Sequence, residues 1–146
     1  MNKVILGLIC AVLVSPVFSH EFSPAHLIIE EDADFEYEVT WMYPIRNLGP
    51  VNLTLPNDCQ SNSLETFQES KYLSEKISLQ CSDSIKGKDI FIKGLSILND
   101  ALVTIKFLDG ERYEGLVSVK DSKLTIPQEL QVFPTGYFML GVEHLI

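Results

Sequence analysis

The chain has 146 residues, 46% of them hydrophobic, and carries a formal net charge of −9 with its histidines neutral. This length suits one domain with its own hydrophobic core. Acidic residues outnumber basic ones by 20 to 11, and such a surface repels phosphate backbones and anionic lipids, which excludes nucleic acid as an expected partner.

Residues 1–19 have the three parts of a secretory signal peptide. Lys3 provides the positive start, residues 4–14 form an apolar run, and small side chains close the segment at Ser19. The apolar run is much shorter than the roughly 20 residues of a spanning helix, so we do not expect it to remain as a membrane anchor. The sequence therefore predicts cleavage after Ser19, a mature chain that begins at His20, and a periplasmic or other extracytoplasmic location.

Removal of the signal peptide takes Cys10 away and leaves two cysteines, Cys59 and Cys81. It also removes Lys3, which changes the net charge from −9 to −10. An even number of cysteines in an exported protein predicts a disulfide. The alternative is a thiolate pair that binds metal, but no histidine lies between residues 57 and 83 to complete such a site.

From Ala25 onward the chain predicts strands separated by turns, and residues 35–43 give the clearest pattern. In this segment apolar residues alternate with mostly polar ones, which predicts one buried face and one exposed face. Trp41 lies on the apolar face, and we interpret it as a core residue, with stacking on a sugar or another ligand as the alternative. The other predicted strands cover residues 25–31, 51–55, 74–81, 89–93, 102–108, 112–119 and 124–126.

Two further segments complete the predicted fold. Residues 60–71 are polar and weakly patterned, which is typical of a long loop or a short irregular strand. Asp109-Gly110 lies between two alternating runs and predicts a hairpin. About eight short strands without a helix between them predict an antiparallel, immunoglobulin-like β-sandwich over residues 20–134. Residues 135–146 form a short apolar tail that resembles the start of a membrane helix.

An ordered set of short motifs extends over most of the mature chain. Residues 20–31 and 37–44 form one block, residues 137–146 form another, and between them follow Leu-Pro before Cys59, the second cysteine Cys81, and Lys-Gly-x-Asp-Ile-Phe-Ile-x-Gly-Leu. This set resembles the exported N-terminal domain of the HupE/UreJ-type membrane proteins and the segment that leads into their first membrane helix.

The resemblance implies an exported β domain in front of a bundle of membrane helices, in a bacterial family with members linked to nickel or cobalt uptake. Apart from residues 135–146, the family's membrane helices have no counterpart in this sequence. We therefore expect either a truncated reading frame or a soluble derivative of the domain. The implied function is that of a non-catalytic accessory to an inner-membrane permease, or to its own missing membrane part, in docking, gating or metal delivery. The alternatives are an independent periplasmic metal-binding protein and a structural interaction module.

The metal-binding alternative depends on the new N-terminus. The α-amino group and imidazole of His20 form an N/N chelate that favours Cu²⁺ or Ni²⁺, and His26 or Glu21 would add a ligand if the terminus folds back. Both nitrogens must be deprotonated to bind, so affinity should fall as pH drops through roughly 6–7. The simpler interpretation is a frayed terminus with a surface histidine at position 26.

Acidic residues are frequent between Glu30 and Glu38, but their spacing matches no EF-hand loop. We interpret them as a solvated sheet edge that discourages strand pairing. The sequence contains no nucleophile-elbow, zinc-protease, P-loop or dinucleotide-binding motif, and a bridged Cys59 and Cys81 would leave no reactive thiol. We therefore do not expect an enzyme.

Overall fold

The computed structural model describes residues 23–46, 49–96 and 99–130, and within these ranges the chain forms strands and turns but no helix. No helix in these ranges is therefore long and apolar enough to cross a membrane. The predicted signal peptide, His20, Glu21 and the apolar tail lie outside the described residues. The strands are β1 (Ala25–Ala33), β2 (Glu36–Pro44), β3 (Asn52–Thr54), β4 (Cys59–Glu69), β5 (Tyr72–Cys81), β6 (Asp89–Lys93), β7 (Ala101–Lys106), β8 (Arg112–Val117) and β9 (Lys123–Thr125).

The strands form two sheets of unequal width. The large sheet has the order β4-β5-β2-β1-β7-β8, and the small sheet has the order β3-β6-β9. Neighbouring strands are antiparallel except β1 and β7, which run parallel. The prediction of an all-β sandwich is confirmed, with β4 as the strand that the sequence pattern did not define.

Alternation along the strands places an apolar face of each sheet in the shared core. In β1 and β2, Leu27 lies opposite Trp41 and Ile29 lies opposite Val39, and none of the four is more than 2% exposed. Burying one such aliphatic side chain contributes on the order of 2 kcal/mol to folding. Core side chains of the small sheet are Ile90, Ile92 and Leu124.

Strand β2 begins one residue later than the sequence pattern predicted. Phe35 has a φ of 63°, a left-handed backbone conformation that ends strand pairing, and its side chain is 40% exposed. Strand β2 therefore begins at Glu36 rather than at Phe35. The predicted hairpin at Asp109-Gly110 joins β7 to β8, where Gly110 takes a φ of 89° and its N–H donates to the carbonyl oxygen of Phe107 at 3.0 Å.

Residues 60–71 belong mostly to an eleven-residue strand, β4, so the prediction of a loop or short irregular strand there was wrong. Most residues of β4 are exposed, which explains the absence of an alternating pattern. The strand is held instead by its antiparallel ladder with β5. One irregularity interrupts the ladder between Ser63 and Glu65.

A disulfide joins β4 to β5 at the start of their ladder. Cys59 and Cys81 are directly opposite each other, with Cα atoms 4.0 Å apart, and the bridge closes a sequence separation of 22 residues. The structure thus supports the disulfide that the cysteine count predicted. Because little core holds β4 in place, the covalent link secures the strand that depends most on its neighbour.

Replacing both Cys59 and Cys81 with alanine should lower the free energy of unfolding by roughly 3 kcal/mol, because the unfolded chain regains the entropy of an open loop of this length. Denaturant unfolding monitored by circular dichroism measures the difference. The matched comparison is the unmodified protein with and without reductant. Equal midpoints for the variant and the oxidised protein would contradict the stabilising role.

Candidate functional site

The unequal width of the two sheets produces a groove at one side of the sandwich. The large sheet continues past β2 to β5 and β4, whereas the small sheet ends at β3. Between β3 and the uncovered part of the large sheet lies a cavity of about 570 Å³. Its lining residues are Trp41, Tyr43, residues 51–57, Cys59, Ser61, Glu75 and Ile77.

Burial of the inner face of the large sheet decreases from β2 towards β4. Val39 is fully buried, Ile77 on β5 is 9% exposed, and Ser63 on β4 is exposed. These three residues are opposite one another across adjacent strands. The floor of the groove therefore changes from apolar to polar where the small sheet no longer covers it.

The aromatic side of the groove is part of the core. Trp41 is only 2% exposed and packs beside Tyr43, with ring centroids 5.8 Å apart. A tryptophan this buried offers no free face for stacking on a sugar. Tyr43 is half-buried and forms the more accessible aromatic surface.

Glu75 is the carboxylate that faces the groove. It lies opposite Trp41 on one side and Thr66 on the other, so it points to the inner face of the large sheet. The hydroxyl of Ser63 donates to its Oε1 at 2.8 Å. Among the described residues no lysine, arginine or histidine lies within ion-pair distance of Glu75. In the described part of the chain, this half-buried carboxylate therefore has Ser63 as a neutral hydrogen-bond partner and no cation beside it.

The wall opposite Glu75 is the edge of the small sheet. Strand β3 pairs with β6 along one side, and no strand from the described part of the chain pairs with its other side. Leu53 is half-buried, whereas Asn52 and Thr54 are exposed. Pro50 and Pro56 lie just outside the strand and limit the length of this edge.

These groups favour non-covalent binding of an extended, polar chain. The edge of β3 supplies backbone donors and acceptors, Ser61 supplies a hydroxyl, and Glu75 supplies a negative charge. Leu53 and Ile77 add apolar surface on the two sides. A concave surface with a few convergent polar groups is a usual form of binding site.

His26, a predicted metal ligand, lies on the opposite face of the large sheet from the groove. His26 lies on the outer face of the large sheet between Met42 and Leu102, with its ring 5.9 Å from that of Tyr72. No group of three or more His, Cys, Asp or Glu residues in the described ranges is arranged to hold a metal ion. The chelate at His20 lies outside those ranges and stays a prediction.

The acidic residues between Glu30 and Glu38 do not form a sheet edge, so that interpretation was wrong. They belong to β1, β2 and their turn, and both strands are central in the large sheet. On its outer face Glu30 pairs with Lys106 at 2.5 Å, and Glu38 lies 3.7 Å from Lys76. Alternation alone shows that two residues share a face, but not which strands become the edges.

Sequence reasoning missed Glu75 as a residue of the groove and Ser63 as its hydrogen-bond partner. In sequence, Glu75 is one charged position near the start of a strand, and Ser63 belongs to a segment with no pattern. The available signal was the alternation of side chains along a strand. Glu75 lies an even number of residues from Ile77 and Leu79, which places a carboxylate on their otherwise apolar face. Its accessibility depends on the width of the opposite sheet.

Comparison with known proteins gives no matching family model and no matching curated relative. The resemblance to HupE/UreJ-type proteins therefore stays a prediction from the motifs. The architecture and the groove are the observations on which a function is proposed.

Titration of His26 should make the protein less stable in mild acid. Burial lowers the pKa of His26 below its ordinary value of 6.5, because the surroundings desolvate the charged imidazole. As pH falls below about 6.5, the unfolded chain binds more protons than the folded chain. The contribution of His26 to the free energy of unfolding is therefore complete above this pH and is lost as pH falls towards the lowered pKa of the folded state.

The substitution His26→Gln should remove this part of the pH dependence. We expect the stability of the unmodified protein, relative to that of the variant, to decrease between pH 7.5 and pH 5 in urea unfolding experiments. Carboxylate titrations contribute equally to both proteins and cancel in the comparison. Parallel stability curves for the two proteins would refute the desolvation of His26.

Proposed function

We propose that this chain is an exported, non-catalytic accessory domain that docks at the outer face of a HupE/UreJ-type membrane permease. The predicted signal peptide and the ordered motifs of the mature chain support this proposal. The observation that carries it is the groove between β3 and β5. This preformed recess combines a strand edge that no described strand pairs with and a carboxylate that no described cation contacts. A docked partner would form hydrogen bonds with the strand edge and contact the carboxylate.

The disulfide supports export. Cystines form and persist in oxidising compartments and are rare in the cytosol. The Cys59–Cys81 bridge links two adjacent strands at the end of the groove, and Cys59 is one of the groove's lining residues. An extracytoplasmic compartment would therefore stabilise the part of the fold that forms the proposed docking surface.

The groove supports docking better than metal delivery. Nickel and copper sites generally use nitrogen or sulfur donors. The groove offers one carboxylate together with hydroxyls and amides, and both of the mature chain's cysteines are in the disulfide. We therefore place the accessory role in protein–protein contact.

Export predicts a defined mature product. When the full chain is expressed in a Gram-negative bacterium, the periplasmic protein should begin at His20 and contain one disulfide. Intact-mass spectrometry before and after reduction measures both features, since reduction adds two hydrogens. A product that keeps residues 1–19, or that remains reduced in the cytoplasm, would contradict the proposed compartment.

Docking predicts position-dependent cross-linking in the cell. A photo-reactive amino acid at Ser61, in the groove, should cross-link to a protein with several membrane helices. The same amino acid at Gln60, on the same strand but the opposite face, should not. Mass spectrometry identifies the cross-linked partner.

Both positions are exposed, so either substitution should leave the fold intact. Equal cross-linking from Ser61 and Gln60 would show that the groove is not the docking surface. Cross-linking confined to soluble proteins would contradict the association with a permease.

A further inference from the structure

One edge of β3 pairs with no strand in the described ranges, and this edge and the charge of Glu75 lie on opposite sides of the same groove. We propose that this groove binds a short extended segment of the partner protein as a fourth strand on β3, with one lysine or arginine of that segment paired to Glu75. The inference rests on the proposed docking function and names the chemistry of the docked segment.

The usual spacing of strands and sheets in proteins indicates where an added strand would lie. Neighbouring strands lie about 4.8 Å apart, and facing sheets lie about 10 Å apart. A strand paired with the free edge of β3 would therefore extend the small sheet over the floor formed by β5. Side chains on the inner face of the added strand would point at Glu75 and Ile77, which are two residues apart on the same face of β5.

The backbone provides the attachment. Exposed sheet edges bind extended peptides through main-chain hydrogen bonds, while alternate side chains provide specificity. Strand β3 is only three residues long, and prolines at positions 50 and 56 flank it. So short an edge can pair with only a few residues of the ligand, and recognition must depend on side chains as well.

The electrostatics select a cation. The carboxylate of Glu75 accepts one hydrogen bond from Ser63 and has no positively charged neighbour in the part of the chain that the structure describes. A half-buried carboxylate gains more from a charged donor than from a neutral one. The net charge of −9 for the whole chain, or −10 without Lys3, also attracts basic segments at long range.

The neighbouring floor selects an alternating pattern. Ile77 and the half-buried Leu53 are apolar, so an inward side chain of the ligand next to the cation should be aliphatic or aromatic. Outward side chains of the added strand would face solvent and carry little preference. The expected segment therefore reads apolar, any, Lys or Arg, any, apolar.

Peptide selection tests the proposal with a defined probe. A phage-displayed library of random seven-residue peptides is selected against the oxidised mature domain, and enriched peptides are synthesised for fluorescence-polarisation titration. We expect enrichment of alternating sequences with one central lysine or arginine. The substitution Glu75→Gln should weaken their binding about five- to tenfold, as expected for loss of a charge-assisted hydrogen bond.

A matched pair of lysine substitutions separates the groove from general charge effects. Ser63→Lys places a cation beside Glu75 and should abolish selection of basic peptides. Gln60→Lys makes a charge-altering change on the opposite face of the same strand and should leave binding unchanged. Circular dichroism and unfolding midpoints confirm that all three variants keep the fold.

Several outcomes would overturn the inference. These are the absence of any enriched peptide, enrichment without a cation, and equal losses in Ser63→Lys and Gln60→Lys. The last would show that binding depends on the overall charge of the domain and not on the groove. A dimer in sedimentation experiments that Ser63→Lys dissociates and Gln60→Lys does not would assign the groove to a second copy of the chain.

The peptide experiment and the cross-linking experiment fail independently. Peptide binding at Glu75 without a membrane partner would retain the strand-addition mode and reject the permease association. Cross-linking at Ser61 without any selected peptide would retain docking and show that the partner presents a folded surface.

Discussion

The difference in width between the two sheets is the constraint on which the rest of this structure depends. Six strands face three, so only part of the large sheet can share a dry core with the small one. Leu27 and Ile29, which point inward from β1, are fully buried, whereas Ser63, which points inward from β4, is exposed. The polar composition of β4 follows directly, because an apolar inner face there would present a large unsupported hydrophobic surface to water.

The covered and uncovered ends of the sandwich are stabilised differently. At the covered end, buried side chains pack together and a few hydrogen bonds connect them. The Ile85 N–H donates to the Tyr37 hydroxyl at 3.4 Å. Burial raises the pKa of Tyr37 to about 12, so this hydroxyl stays neutral. The carboxylate of Glu31 also accepts from the N–H of Leu108 at 2.9 Å, which ties β1 to the turn between β7 and β8. At the uncovered end β4 depends on its ladder and on the Cys59–Cys81 bridge.

The sequence predicted the fold wherever one face of a strand is buried. Period-two alternation located β2 because Tyr37, Val39 and Trp41 all enter the core. The same reasoning failed at β4, since a strand exposed on both faces has no periodic signal and is determined by the partner strand. The groove could not be predicted either, because it exists only through the order of strands in two sheets, and non-local pairing of this kind leaves no trace in local pattern. The disulfide was predictable from the cysteine count together with the predicted export.

The irregularity in β4 explains why Glu75 is left without a like-charged neighbour. Ser63 lies opposite Ile77, but the next pair is Glu65 with Lys76, so Leu64 is the additional residue, and its side chain is 61% exposed. In a regular ladder Glu65 would lie opposite Glu75 on the inner face, where two carboxylates would repel each other. The bulge turns Glu65 to the outer face opposite Lys76 and places Thr66 beside Glu75. One inserted residue therefore converts a potential acidic pair into a single carboxylate that faces the groove.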